Sequence, residues 1–138
     1  MAELNCQFVR PDKLVYEGLV DHLILVTYSG ELGVWPGHAP QICALGDGVV
    51  RLHQRSADGG EEIDVVISGG YAEIVNDTVI ILADHARLTN DIEPDVVMST
   101  RTKAMESRDK LPDGDARRAY YENKIKWCNL LLKQTSEA

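Results

Sequence analysis

The sequence predicts an α+β protein, an N-terminal antiparallel β-sandwich followed by a C-terminal antiparallel two-helix hairpin. Three observations carry that prediction. Over residues 1–88, short apolar runs alternate with polar residues at period two, separated by glycine and asparagine turns. Beyond residue 88 the apolar period lengthens to that of a helix and is interrupted once, at Pro112 and Gly114. Charge divides at nearly the same place. Residues 1–90 hold 13 acids against 5 bases, residues 91–138 hold 9 of each, and the net charge of −8 belongs to the first part.

In chain order, the clearest strand runs are VDHLILVTY (20–28), VVRLHQ (49–54), IDVVIS (63–68) and TVIILA (78–83). They are rich in Val, Ile and Tyr, residues that suit a pleated, half-buried surface. Turn signals separate them: Gly46-Asp47-Gly48, Asp58-Gly59-Gly60, Gly69-Gly70 and Asn76-Asp77. Many short strands at such spacing indicate a sandwich or barrel. A first helix then opens at Pro94 behind acidic residues, with Val97, Ala104 and Leu111 recurring every seven residues. LPDGD ends it, and a second helix runs from about Ala116 to about Gln134. Its apolar stripe sets Tyr120, Trp127, Leu130 and Leu131 beside Tyr121, Ile125, Cys128 and Leu132, broader than one thin partner helix covers. Part of that stripe is expected to bury against the sandwich or against another protein. The domain division follows: residues 1–88 a sandwich, residues 89–138 a helical hairpin.

Composition and motifs exclude several kinds of function. An acidic body argues against nucleic acid, whose affinity rests on Lys and Arg at phosphates. It suits a basic protein surface instead. No apolar run nears the roughly 20 residues that cross a bilayer, and no basic-then-apolar leader opens the chain. Cys6, Cys43 and Cys128 are odd in number and widely spaced, as free thiols in a reducing compartment would be. ISGGY (67–71) lacks the order of a nucleophile elbow. There is no phosphate-loop lysine motif, and Gly30, Gly33 and Gly37 precede no helix. His22, His38, His53 and His85 form no metal-binding spacing. A small β enzyme is therefore disfavoured, and neither metal, cofactor nor catalytic residues are expected.

The densest feature is GELGVWPGHAP (30–40). Pro36 locks its own φ and biases Trp35 to an extended conformation, while Gly37 is free to take positive φ as the third residue of a tight turn. Pro40 lacks a donor, so the segment is not expected to form a central strand. A stiff loop loses little entropy when gripped, which favours a contact surface that displays Glu31 and His38.

SGELGVWPGHAPQICALGDGVVRL (29–52), VVISGGYAEIVNDTVIILADHA (65–86) and the polar helical tail resemble the ε subunits of rotary F-type ATP synthases, called δ in mitochondria. The resemblance runs nearly end to end. It implies a non-catalytic central-stalk, or rotor, subunit of a proton- or sodium-driven synthase. The sandwich would hold the γ-type stalk and rest on the polar loops of the c-ring, through the block of Glu31, Gly33, Pro36, Gly37 and His38. The hairpin would reach the catalytic α/β subunits and inhibit ATP hydrolysis, with Arg101, Lys103, Arg108, Arg117, Arg118, Lys124, Lys126 and Trp127 as its contact residues. The implied location is peripheral, at the cytoplasmic face of a bacterial membrane. A stand-alone sandwich that senses a ligand or nucleotide is the alternative.

One departure from the family carries an expectation of its own. Some members bind ATP through an aliphatic-Asp-x-x-Arg-Ala stretch opening the first helix, plus arginines on the second. Here the stretch is PDVVMS: Asp95 is present, but Pro94, Met98 and Ser99 replace the others, and Ile125 and Asn129 stand where arginines belong. A triphosphate needs several charge-assisted donors, so no tight ATP binding is expected.

Overall fold

The computed structural model describes residues 3–136. The chain forms two compact units, Met1–Leu88 and Thr89–Ala138. In the first are seven strands: β1 (Leu4–Arg10), β2 (Lys13–Thr27), β3 (Gly30–Val34), β4 (Gln41–Ala44), β5 (Asp47–Gln54), β6 (Glu62–Val75) and β7 (Thr78–Leu88). In the second are two helices, α1 (Pro94–Asp109) and α2 (Arg117–Ser136). The fold class read from the sequence is the one observed.

The strands hydrogen-bond in the order β1-β7-β6-β5-β2-β3, β1 also pairs with β2, and β4 pairs with β6. β1 through β2 therefore close into a ring, with β3 at the edge. The sheet departs from the expected pattern at β1–β7, which is parallel. The first half of β2 runs back along β1 as a hairpin partner, and its second half continues to β3 and β5. That sharing places β1 between β2 and β7, where the direction of β7 is already set.

The core shows why these runs are strands. Leu4, Cys6 and Phe8 alternate inward on β1, Val50 and Leu52 on β5, and Val79, Ile81 and Ala83 on β7, all nearly or wholly excluded from solvent. Burying a side chain such as Phe8 or Leu52 contributes roughly 1.5–3 kcal/mol. On β2 the alternation slips between Val20 and Leu23, where the register to β5 shifts. Such a bulge lets both side chains face the same interior.

Gly69-Gly70 reads in the sequence as a turn between strands, but it lies inside one continuous strand, β6. Below the pair β6 bonds to β5 (Ser68↔Asp47), and above it to β4 (Tyr71↔Ala44). The strand keeps its register with β7 throughout. The glycines take φ of +73° and +119°, and a Cβ on Gly70 would lie 2.0 Å from the Leu82 carbonyl oxygen. Only glycine allows the backbones that close. The pair is a bend at which β6 changes partner, and the inward side changes parity there, from Val65 and Ile67 to Ala72 and Ile74. Asn76-Asp77 is a true turn, with φ of +49° and +60° joining Val75 to Thr78.

In the second unit Pro94 occupies the start of α1, where its missing N–H costs nothing. Val97 and Ala104 are buried on α1, and Ile125, Cys128 and Leu131 on α2. Leu111, counted in the sequence stripe, lies past the helix end. Arg118 donates to the carbonyls of Arg108 (2.8 Å) and Leu111 (3.0 Å), adding a side-chain donor at the end of α1. Asp115 accepts the N–H of Arg117 at 2.9 Å and caps the start of α2. Arg101 donates to Asn129 Oδ1 at 3.0 Å and ties the helices midway. Tyr120 stands outside the buried stripe expected for it, 62% exposed in the first turn, edge-on to Tyr121 and under Lys124 Nζ. Among the described residues no helix is long and apolar enough to cross a membrane.

Candidate protein-interaction surface

GELGVWPGHAP divides into two parts. Gly30–Val34 is the edge strand β3, paired only with β2. Trp35 to His38 is a tight turn closed by His38 N–H to the Trp35 carbonyl at 3.1 Å, with Pro36 second and Gly37 third at φ +88°. Gly37 N–H also donates to Asp77 Oδ1 at 2.7 Å, which fastens the turn to the β6–β7 corner. The stiffness read from Pro36 and Gly37 is thus supplied twice, by backbone preference and by a carboxylate clamp.

Of the displayed polar groups, neither points at a catalytic partner. Glu31 accepts from Arg51 Nη2 at 2.7 Å, across β2. Arg51 is a third exposed and Glu31 more than half, so the pair contributes little to stability and mostly sets the posture of Glu31. His38 Nδ1 sits 2.7 Å from the Ala39 carbonyl oxygen. Gly33 has a packing role: a Cβ there would fall 2.2 Å from the Trp35 ring, which folds back over it.

Trp35 extends a row that sequence reasoning missed. Its indole lies parallel to the His22 ring, centroids 4.9 Å apart at 4°, and His22 lies on His53 at 4.1 Å and 18°. His53 Nε2 in turn meets Glu62 Oε1 at 2.9 Å. Register explains the row, since His22 faces His53 on β2–β5 and His53 faces Glu62 on β5–β6. Burial, and next the neighbouring His53, hold His22 below the ordinary histidine value. Their separation along the chain gave no sign of it.

Tyr28, Trp35, Ile42 and Tyr71 are 48–80% exposed. Ile42 and Tyr71 sit on the paired strands β4 and β6. An open cleft of about 350 Å³ lies between the β2–β3 turn and β4, lined by Tyr28, Glu31, Leu32, Gln41, Cys43 and Ala44. Burial raises the Cys43 thiol and keeps it from acting as a ready nucleophile. Large exposed apolar side chains are of the kind that protein partners cover. The sequence signal for them was present but unused: Tyr28 precedes the turn glycine, and Ile42 follows Pro40 where no buried strand could start.

On the hairpin, the arginines named from the sequence are largely occupied within it. Arg117 holds Asp115 through two side-chain contacts of 2.8 and 3.1 Å, Arg108 pairs with Asp109, and Arg101 and Arg118 make the bonds described above. Lys124 lies 5.8 Å from the Tyr120 ring centre, and Trp127 is half-buried. At the positions of the degenerate nucleotide motif, Ile125 is buried, Asn129 is bonded to Arg101, and Asp95 is exposed. Among the described residues no three His, Cys, Asp or Glu side chains group as metal ligands.

Fold and surface together describe a β-sandwich carrying a helical hairpin and an aromatic edge suited to other chains. Comparison with known proteins gives that class a family. The family description "ATP synthase, Delta/Epsilon chain, beta-sandwich domain" matches residues 3–89. An ATP synthase epsilon chain of Leptospira borgpetersenii is 32% identical over 96% of this chain and 90% of its own length. Those of Chromohalobacter salexigens and Alkalihalophilus pseudofirmus are 35% and 39% identical, over 88% and 78% of this chain and 85% and 77% of theirs. Among solved structures, a chain of the Euglena gracilis mitochondrial ATP synthase superposes with a TM-score of 0.70 at 23% identity, covering 100% of this chain and 83% of its own. That likeness shows the fold. This chain belongs to the ATP synthase delta/epsilon family.

Proposed function

We propose that the chain is a central-stalk subunit of a proton- or sodium-driven ATP synthase, with no catalytic residues of its own. The observation that carries this is membership along the whole length, sandwich and hairpin alike, at 90% coverage of an epsilon-chain relative. On this reading the sandwich grips a γ-type stalk subunit and rests on the polar loops of the membrane ring. Glu31, Gly33, Pro36, Gly37 and His38 belong to that contact, and the exposed Tyr28 and Ile42 extend it. The net charge of −8, concentrated in residues 1–90, suits basic loops, because complementary charge steers and registers assembly. The hairpin meets the catalytic α/β subunits through Arg101, Arg108, Arg117, Arg118, Lys124 and Trp127 and restrains ATP hydrolysis. The subunit then sits peripherally at the cytoplasmic face of a bacterial membrane.

Affinity capture from a membrane extract of the source cells tests the reading. The tagged full chain is expected to recover a γ-like coiled-coil subunit and the catalytic subunits. Recovery of the chain alone would favour a free-standing ligand-sensing sandwich and overturn it. Deleting the chain beyond Asp91 separates the two roles: the truncated sandwich should still assemble, while ATP hydrolysis by the complex rises.

A further inference from the structure

The row Trp35–His22–His53–Glu62 crosses β2, β5 and β6 on the outer side of the sheet, away from the apolar core. Three planar rings lie parallel within 18°, and the last is anchored to a carboxylate at 2.9 Å. The core needs none of them. Val20, Leu23 and Leu25 fill it from β2, and Val50 and Leu52 from β5. Two imidazoles at 4.1 Å therefore share a partly wet surface where each can gain a proton.

We infer that this stack is a proton-sensitive clamp on the Trp35 indole: it holds the ring flat against the sheet while the two imidazoles carry at most one proton, and parts when both are charged.

Every charged group around the rings bears on the order of protonation. Glu62 contacts His53 directly and is placed to pair with a charge on that ring. Asp21 and Glu62 favour a charge on His22, but burial and a charged His53 act more strongly against it. Asp64 and Arg51 lie on the flanks, where Arg51 is held by Glu31 and Asp64 is raised by burial and by Glu62. The second proton must therefore place two like charges face to face at about 4 Å.

The sign follows from that order. A histidine whose folded value is lowered stabilises the fold fully above its unfolded value of 6.5, and loses that contribution as pH falls below it. The clamp is closed at neutral pH and weakens on acidification. The response is confined to the indole, because Gly37 stays bonded to Asp77 and the turn backbone keeps its anchor. What changes is the chemistry of the edge, from an indole seated flat on the sheet to a mobile indole above two positive charges. The clamp rests on geometry within this chain and stands whichever partners the surface meets.

Nuclear magnetic resonance on the full-length chain, titrated from pH 8 to 5 and so kept above the pI of about 4.9, reads the clamp directly. The Cε1–H resonances of His22 and His53 report protonation, the indole N–H of Trp35 reports the ring, and through-space contacts between the rings report the stack. The Trp35 resonance should follow the second, lower midpoint, and ring contacts between His22 and His53 should vanish there. In His53→Gln, His22 should bind its proton at least ~3-fold more tightly, since one pK unit is a tenfold change, and its contact with Trp35 should survive the titration. The clamp is overturned by ring contacts that persist once both histidines are charged, or by a His22 midpoint unmoved in His53→Gln.

Discussion

Gly70 is the residue whose replacement the fold tolerates least for its size. At φ +119° an added methyl group would meet the Leu82 carbonyl oxygen at 2.0 Å and the Ala83 Cα at 2.8 Å. Gly114, by contrast, has a positive φ of +84° and open space around it. Gly70→Ala is expected to destabilise by more than about 2 kcal/mol and Gly114→Ala by about 1 kcal/mol, the first adding a backbone collision to the strain common to both. Urea unfolding of the two variants measures the difference, and equal losses would contradict the collision. At this scale the sequence was legible where a residue restricts its own backbone. Pro36 and Gly37 announced their turn, and the turn is there. It was opaque where a role depends on a neighbour far along the chain. Gly33 needs to be glycine because Trp35 lies over it, and His22 meets His53 only through strand register.

Among the elements, the hairpin connection shows most plainly how ends are held. Arg118 of α2 closes the carbonyl end of α1, and Asp115 of the connecting loop closes the amide end of α2. Arg117, through its side chain and then its own N–H, pulls the Asp115 carboxyl from 3.8 to about 2. A carboxylate lowered in the folded chain stabilises above its ordinary value and loses that contribution as pH falls toward the lowered one. Protection of the Arg117 amide is thus expected to hold at pH 5 and to disappear between about pH 4 and 2, measured by amide exchange. Loss of protection already at pH 5 would contradict the cap. The helices were readable because their period and stop signals are local. Strands β1, β3 and β4 were not among the clear runs: two glycines weaken β3 and four residues are few for β4, while β1 does alternate at Leu4, Cys6 and Phe8 and was passed over. Their apolar residues count as strand only once β7, β2 and β6 supply the partner edges.

The whole molecule separates a closed apolar core from a charged, capped hairpin, each compact by itself. The sequence showed this division through its change of period and of charge at about the same residue. It also located the nucleotide motif's losses, and the structure puts those positions to other use, with Ile125 buried and Asn129 bound to Arg101. Isothermal calorimetry with Mg-ATP on the isolated full chain is expected to show no binding of micromolar or better affinity. A micromolar dissociation constant would mean that other donors replace the missing arginines.

The exchange of partners along β6 has a mechanical consequence. One covalent strand is bonded to β5 at one end, to β4 at the other and to β7 along ten paired residues between. A load that drags one end of the sandwich past the other pulls along this strand, so its ladder with β7 resists in shear, many bonds at once. A load that peels an edge, such as β3, meets five pairs opened one after another. The body is stiff along β6 and yielding at its rim, like a beam with a soft lip.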